Sequence, residues 1–425
     1  MEPSDADYAS AQVPNGMAAI TTTRWCDWAL LLAAAAYLFA LYYFEISSQE
    51  RQIDFGAYYV WGFAARHGLD PYRSSVLPPI MNALQVDAVP ANYPPLVLLA
   101  FEPLSLLPVR MAFWIWCGTN FTLLLAGLVI MIRCAGERGS PVAILSLALL
   151  YGPITDELYW GESDLFVMLL IALSLRAIRR SSDVACGVSL ALAALWKAFP
   201  AAILVGFITD RRPRLLLAAA LTLLVGAAVS VVIFGPALNL EFAESAWQAG
   251  SSALLPYSSN GSFAALITRG VQLAARAYPG APWPAVRLAA ILIVEVVLFL
   301  LAVHGASIAN RSGRPEFAFA LWVAWLVPLL TAVWFHRLTF FLVFLLLLAR
   351  AEGTSTRSRR AGLISYGLAQ MGLVIAWTRW LILPAHDELT QNGLGAATFL
   401  SMVFGFSAAY LMCADSRSAL VAKPS

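Results

Sequence analysis

Long, unbroken apolar runs constrain this chain more than any other feature. Residues 25–46, 111–132, 214–235 and 284–306 are each apolar almost throughout, and about 20 such residues let a helix cross the roughly 30 Å hydrocarbon layer of a bilayer. Strands of a membrane barrel would alternate apolar and polar positions over segments of about 10 residues, and these runs do not alternate. Charged residues make up only 12% of the 425-residue chain and hydrophobic ones 60%, whereas soluble domains carry about 25% charge. The fold class expected is therefore an all-α polytopic membrane protein.

Taken in order, a polar and acidic stretch at 1–24 reads as a disordered tail, and no cleavable leader is evident before the first span. A single transmembrane domain is expected over 25–413, followed by a tail at 414–425. Residues 47–110 form a large external loop; its apolar piece 94–107 is too short to span and carries Glu102, Pro103 and Pro108, so it reads as a re-entrant or interfacial helix. Two pairs of short helices, 141–153 with 164–178 and 184–196 with 200–210, meet at polar apices. Interrupted helices of that kind survive at membrane depth only against protein or a water-filled cavity. Further spans fall at 214–235, 284–306, 316–334, 337–350, 362–382 and 394–413, with a second external loop at 236–283. The total is about 12 membrane helices, several short or broken.

Charge orients the set. With the N-terminus inside, the internal turns and tails hold 17 of the 27 Lys and Arg residues, as the positive-inside rule requires. Both ends are then cytoplasmic. The net charge of +2 gives no argument for nucleic acid. Cys26, Cys117, Cys134, Cys186 and Cys413 are scattered without a CxxC pair and read as structural thiols.

The polar residues that remain gather on the external side. Asp54, just after the first span, is either a helix-end acid favoured by the dipole or a base within reach of an attacking hydroxyl. Lys197, at a helix break beside Phe199-Pro200, needs a cavity or a charged partner if it does not snorkel; its functional reading is a point charge on a phosphate. Arg110, at the start of a span, either pairs with Glu102 or shares that role. Gly161-Glu162-Ser163-Asp164 is an acidic apex at which Ser163 or Asp164 would cap a helix. Asp156, Glu157, Glu162 and Asp164 offer carboxylates to a metal, but their spacing matches no recognised cation loop, so no metal is expected. Asn260-Gly261 suits a turn and Ser262 a cap. Trp334 fits the aromatic belt, while His336 is one of only four histidines. No nucleotide fingerprint, nucleophile elbow or HExxH is present, so neither ATP nor a nucleotide sugar is supported and no cofactor is expected.

In fixed order, Asp54 with Tyr58 or Tyr59, Gly68-x-Asp70-Pro71-Tyr72, Tyr93-Pro94-Pro95-Leu96, Gly161-Glu162-x-Asp164, Lys197-x-x-Pro200, Asn260-Gly261-Ser262 with Arg269, and Trp334-x-His336 resemble the motifs of glycosyltransferase family 87. These are polyprenol-phosphate-mannose-dependent α-mannosyltransferases of the GT-C superfamily, and the likeness spans about residues 25–340. It implies a GT-C fold, a polyprenyl-phosphate-linked sugar donor, a lipid or glycan acceptor, and displacement with inversion. It further implies Asp54 as general base and His336 orienting a substrate. Lys197, with Arg110 or Arg269, would hold the phosphate. Tyr58, Tyr93, Glu162, Asp164, Asn260 and Trp334 would contact sugar or acceptor. Three departures leave the sugar open. Glu162 and Asp164 stand where the family usually has Gln and Asn, Gly261 where it has Gln, and Arg337 where it has a second His.

Two rivals stand beside this reading: a flippase or transporter of lipid-linked sugars, and a related enzyme using arabinose or glucose. In a bacterial cell the expected location is the plasma (inner) membrane, with the site facing the periplasm or exterior.

Overall fold

The computed structural model describes residues 16–46, 53–252, 259–352, 354–382 and 388–421, which are helical with no strand among them. The first helix, α1 (Gly16–Ala40), begins well before residue 25, so the expected tail is helical from Gly16 onward. Residues 1–15 lie outside the described part.

The external loop expected at 47–110 contains three helices, α2 (Ile53–Arg66), α3 (Leu77–Leu84) and α4 (Leu98–Phe101), with 3₁₀ turns at Pro95–Val97 and Leu104–Leu106. The piece 94–107 is thus a chain of short turns rather than one interfacial helix. Pro95, Pro103 and Pro108 deny it the backbone donors that a continuous helix needs. Helix α2 packs so closely on α4 that a Cβ placed on Gly62 would sit 2.4 Å from the Phe101 carbonyl oxygen. A Gly62→Ala substitution must therefore move backbone, at a cost of about 1–3 kcal/mol. We expect a lowered melting temperature for the purified variant, and a displaced α2.

After α5 (Val109–Ala135), the first expected short-helix pair becomes three pieces: α6 (Pro141–Leu149), α7 (Gly152–Trp160) and α8 (Asp164–Arg179). The polar apex is itself mostly helix α7, because Pro153 at a helix start is compatible with helix geometry. The second pair is α9 (Asp183–Trp196) and α10 (Ala202–Thr209), separated at Lys197 as expected. Next, α11 (Pro213–Ser252) continues far past residue 235 through a kink at Gly235-Pro236, and α12 (Phe263–Ala277) follows. The region 236–283 is accordingly largely helical, not loop. The chain closes with α13 (Trp283–Arg311), α14 (Pro315–Leu329), a 3₁₀ segment Phe335–Phe341 leading into α15 (Leu342–Arg350), α16 (Thr356–Ile382) and α17 (Glu388–Val421). Helix α17 carries the chain past residue 413, where a tail was expected.

Among the described residues, five helices are long and apolar enough to cross a membrane, or six if α6 and α7, bent by 51°, make one span. The other apolar segments expected as short spans are too brief for that test: 16 residues of α8 reach only about 24 Å at 1.5 Å per residue. Helix α14 shows what such a segment does instead. All of Glu316–Pro328 is buried, as a helix apolar on every side must be. In contrast, α11 and α13 expose Leu217, Leu221, Leu224, Leu288, Ile293 and Leu300, the surface that a lipid solvent would cover.

The turns rich in arginine meet one another. Arg179 pairs with Glu316 at 3.1 Å and Arg212 with Asp183 at 3.0 Å, while Arg350 donates to Gly136 O at 2.7 Å and Arg314 to Glu352 O at 2.6 Å. Helix α8 runs from Asp164 to this arginine end, which puts the acidic apex at the opposite end of the helix. Cys117, Cys134, Cys186 and Cys413 are buried free thiols and Cys26 is exposed.

Candidate active site

Asp54 lies in the first turn of α2, where the helix dipole favours an acid, and it is half-buried. Four residues on, Tyr58 projects from the same face into an aromatic nest, stacked on Phe101 at 4.6 Å and edge-on to Tyr93 and Trp116.

The centre of the site is the turn between α7 and α8. Gly161 ends α7 in a left-handed conformation, and its carbonyl accepts from Trp116 Nε1 at 2.7 Å. Asn120 Nδ2 holds the Glu162 carbonyl at 3.1 Å. The backbone is thereby fixed, and the two acids project together. Lys197 Nζ, at the end of α9, donates to Glu162 Oε2 at 2.6 Å and to Asp164 Oδ1 at 2.5 Å. It also lies 4.8 Å from the centre of the Tyr93 ring. The charged partner that an intramembrane lysine demands is therefore a pair of carboxylates. Glu162 Oε2 takes further hydrogen bonds from Tyr58 at 2.7 Å, Tyr93 at 3.0 Å and the Ser163 amide at 3.0 Å. Ser163 does not cap α8. Its hydroxyl donates to Tyr93 at 3.1 Å and accepts from Trp196 Nε1 at 3.1 Å.

Two members arrive from the far end of the sequence. The 3₁₀ segment after Trp334 delivers Arg337, whose guanidinium bonds Asp164 Oδ2 and lies 3.9 Å from Glu162 Oε1. It also delivers His336, buried, with Nδ1 3.4 Å from Asp156 Oδ2 and Nε2 3.9 Å from Glu162 Oε1. Asp54 feels these charges. Burial, and then the neighbouring Glu162, raise its carboxyl well above the usual range, against the downward pull of Lys197 and Arg337. A carboxylate of that kind has more driving force for accepting a proton than an ordinary aspartate.

A sequence profile of glycosyltransferase family 87 matches residues 92–312, just over half of the chain. The chain belongs to glycosyltransferase family 87. No curated protein matches it significantly. The match takes in Tyr93, Arg110, Glu162, Asp164, Lys197, Asn260 and Arg269 but stops short of Asp54, Trp334 and His336; of these three, the fold brings His336 to within 3.9 Å of Glu162.

The remaining candidates stand apart from the acid–lysine turn or brace it. Asn260 is buried and bonded on both sides of its amide. Its Oδ1 accepts from the Ser262 and Val333 amides at 3.0 and 2.9 Å, and its Nδ2 donates to Thr331 O at 3.1 Å. Arg269 donates to Asn260 O at 3.1 Å, and Ser262 caps α12 through the Ala265 amide at 3.0 Å. This loop therefore clamps the strand-like segment 331–333 that feeds Trp334 and His336. Trp334 is half-buried at the start of that 3₁₀ turn, and Arg110 is exposed at the start of α5. Tyr58 and Tyr93 are buried within the hydrogen-bond network, so both hold Glu162 in place. Sequence reasoning named Arg337 only as a departure from a His. Its signal was the simultaneous gain of two acids at 162 and 164, since three changes of charge that meet at one turn balance one another in part.

Proposed function

We propose that this protein moves a hexose, mannose being the first candidate, from a polyprenyl-phosphate sugar to a lipid or glycan acceptor outside the cytoplasm. The observation carrying this reading is the placing of a half-buried acid of raised proton affinity, Asp54, within the field of two clustered cations, Lys197 and Arg337. Asp54 takes the proton of the acceptor hydroxyl as its oxygen bonds to the anomeric carbon. The bond from that carbon to the phosphate oxygen breaks on the opposite face, which inverts the configuration. Negative charge grows on the departing polyprenyl phosphate. Lys197 has one N–H left after its bonds to Glu162 and Asp164, and the Arg337 guanidinium has several; cations preset where charge develops lower the barrier. Arg110, exposed at the start of a span, is placed for first contact with a lipid phosphate. His336 orients the acceptor or the phosphate. No nucleotide takes part. Location in the plasma membrane, with both termini inside and the site outside, belongs to the same proposal.

The test is transfer of label from polyprenyl-phosphate-mannose to a membrane lipid extract by the protein in nanodiscs, repeated with glucose and arabinose donors. A new labelled product supports the reading; label crossing the bilayer with no product from any donor favours the transporter. The base also predicts a pH profile. Asp54 must be unprotonated to act, and its affinity for protons is raised. We expect kcat/KM to fall as pH drops, with a midpoint above the ordinary aspartate value of about 4. A profile flat down to pH 4 would remove Asp54 as the base.

A further inference from the structure

We infer that Glu157, Asp164 and His336 form a divalent-cation site on the buried side of the acidic turn. One potential ligand atom from each lies within 4.8 Å of the others. Two of the three are otherwise unaccounted for. Glu157 is fully buried in α7, and neither of its carboxylate oxygens has a hydrogen-bond partner; His336 is only 6% exposed, and neither ring nitrogen has one. A buried carboxylate without a donor is costly unless a proton or a cation neutralises it. The nearest organic cations are already committed, Lys197 to Glu162 and Asp164, and Arg337 to Asp164.

Charge around Glu157 points the same way. Among the described residues, Asp54, Asp156, Glu157, Glu162 and Asp164 gather about two permanent cations, Lys197 and Arg337. A doubly charged ion removes most of that excess. Asp164 still has room for it, because a carboxylate offers about four lone-pair positions and Lys197 and Arg337 occupy one each. A carboxylate stands near one ring nitrogen of the histidine, placed to fix the tautomer once an ion holds the other nitrogen, as carboxylates beside metal-bound histidines commonly do. Asp156 Oδ2 stands 3.4 Å from Nδ1, and Trp160 Nε1 steadies Asp156 through Oδ1 at 3.1 Å. That leaves Nε2 for the ion. Two carboxylates and one imidazole favour Mn²⁺ or Zn²⁺ over the all-oxygen preference of Ca²⁺ and Mg²⁺. The inference concerns binding and does not rest on the transfer reaction.

The full-length protein in lipid nanodiscs, stripped with chelator, would be titrated with MnCl₂ and followed by the loss of the free Mn²⁺ electron-paramagnetic signal and by thermal unfolding. ZnCl₂ would be tested in competition. We expect one ion per chain and a rise in melting temperature. The isosteric Glu157→Gln and the His336→Gln variants should each weaken binding at least 10-fold, and Asp156→Asn, acting through His336, about 10-fold. Binding of less than one ion by the wild type at 1 mM Mn²⁺ or Zn²⁺ would overturn the site and leave Glu157 as a protonated acid. Unchanged affinity in both Glu157→Gln and His336→Gln would overturn it equally. The wild-type stoichiometry decides the matter even if a variant fails to fold.

Discussion

Replacing Asp54 with Asn will lower glycosyl transfer by about 10²–10⁴-fold, the range a positioned general base contributes, while leaving the melting temperature nearly unchanged. The amide keeps the size and most of the polarity of the carboxylate, and Asp54 is half-buried at a helix N-terminus rather than locked in the core. The loss should fall on kcat more than on KM, since proton abstraction belongs to the transition state. It should also abolish the acid limb of the pH profile. Transfer at the wild-type rate would show that another group accepts the proton.

The second large effect concerns stability. Lys197→Met keeps the length of the side chain but strips Glu162 Oε2 and Asp164 Oδ1 of their shared cation. Removing one partner of a buried ion pair costs about 3–5 kcal/mol because the remaining charge is stranded. We expect the variant to melt far below the wild type in detergent. Adding Glu162→Gln and Asp164→Asn should restore much of the loss, because the triple variant has no stranded carboxylate at those positions. Arg337 would then lose its own partner on Asp164, so recovery should be incomplete. A single variant that melts like the wild type would mean that Arg337 alone can hold both acids.

Much of this was legible in the chain. A lysine at a helix break and an acidic apex before a short helix each carry a physical demand, and they satisfy each other at one turn. What could not be read is the approach of Glu157 to within 4.8 Å of His336, because residues so far apart in sequence meet only through packing of α7 against the 3₁₀ segment at Phe335–Phe341. Asn260 shows a different limit. Its chemistry suits a sugar, yet its Oδ1 and one N–H of its amide brace backbone. Span counting was limited in another way. Hydropathy registers only that a stretch shuns water, so α14, enclosed by protein on all sides, reads the same as a helix facing lipid.

The kink in α11 works as a depth gauge. From Pro213 to Phe234 the helix covers about 33 Å, close to the thickness of a bilayer's hydrocarbon. Gly235 then takes a positive φ of 76°, with Pro236 after it, and Asn239 reaches back to the Gly235 carbonyl at 2.8 Å. With 213–234 crossing the bilayer, residues 236–252 stand above its oil. They grip the segment before the site there. Arg73 pairs with Glu241, Tyr72 packs on Phe242, and Ser245 donates to Ala91 O at 3.0 Å. Tyr72 in turn holds the Tyr93 carbonyl at 2.7 Å, and Tyr93 holds Glu162. With that span fixed in the bilayer, one strut running from α11 through Tyr72 and Tyr93 sets the height of the acidic turn.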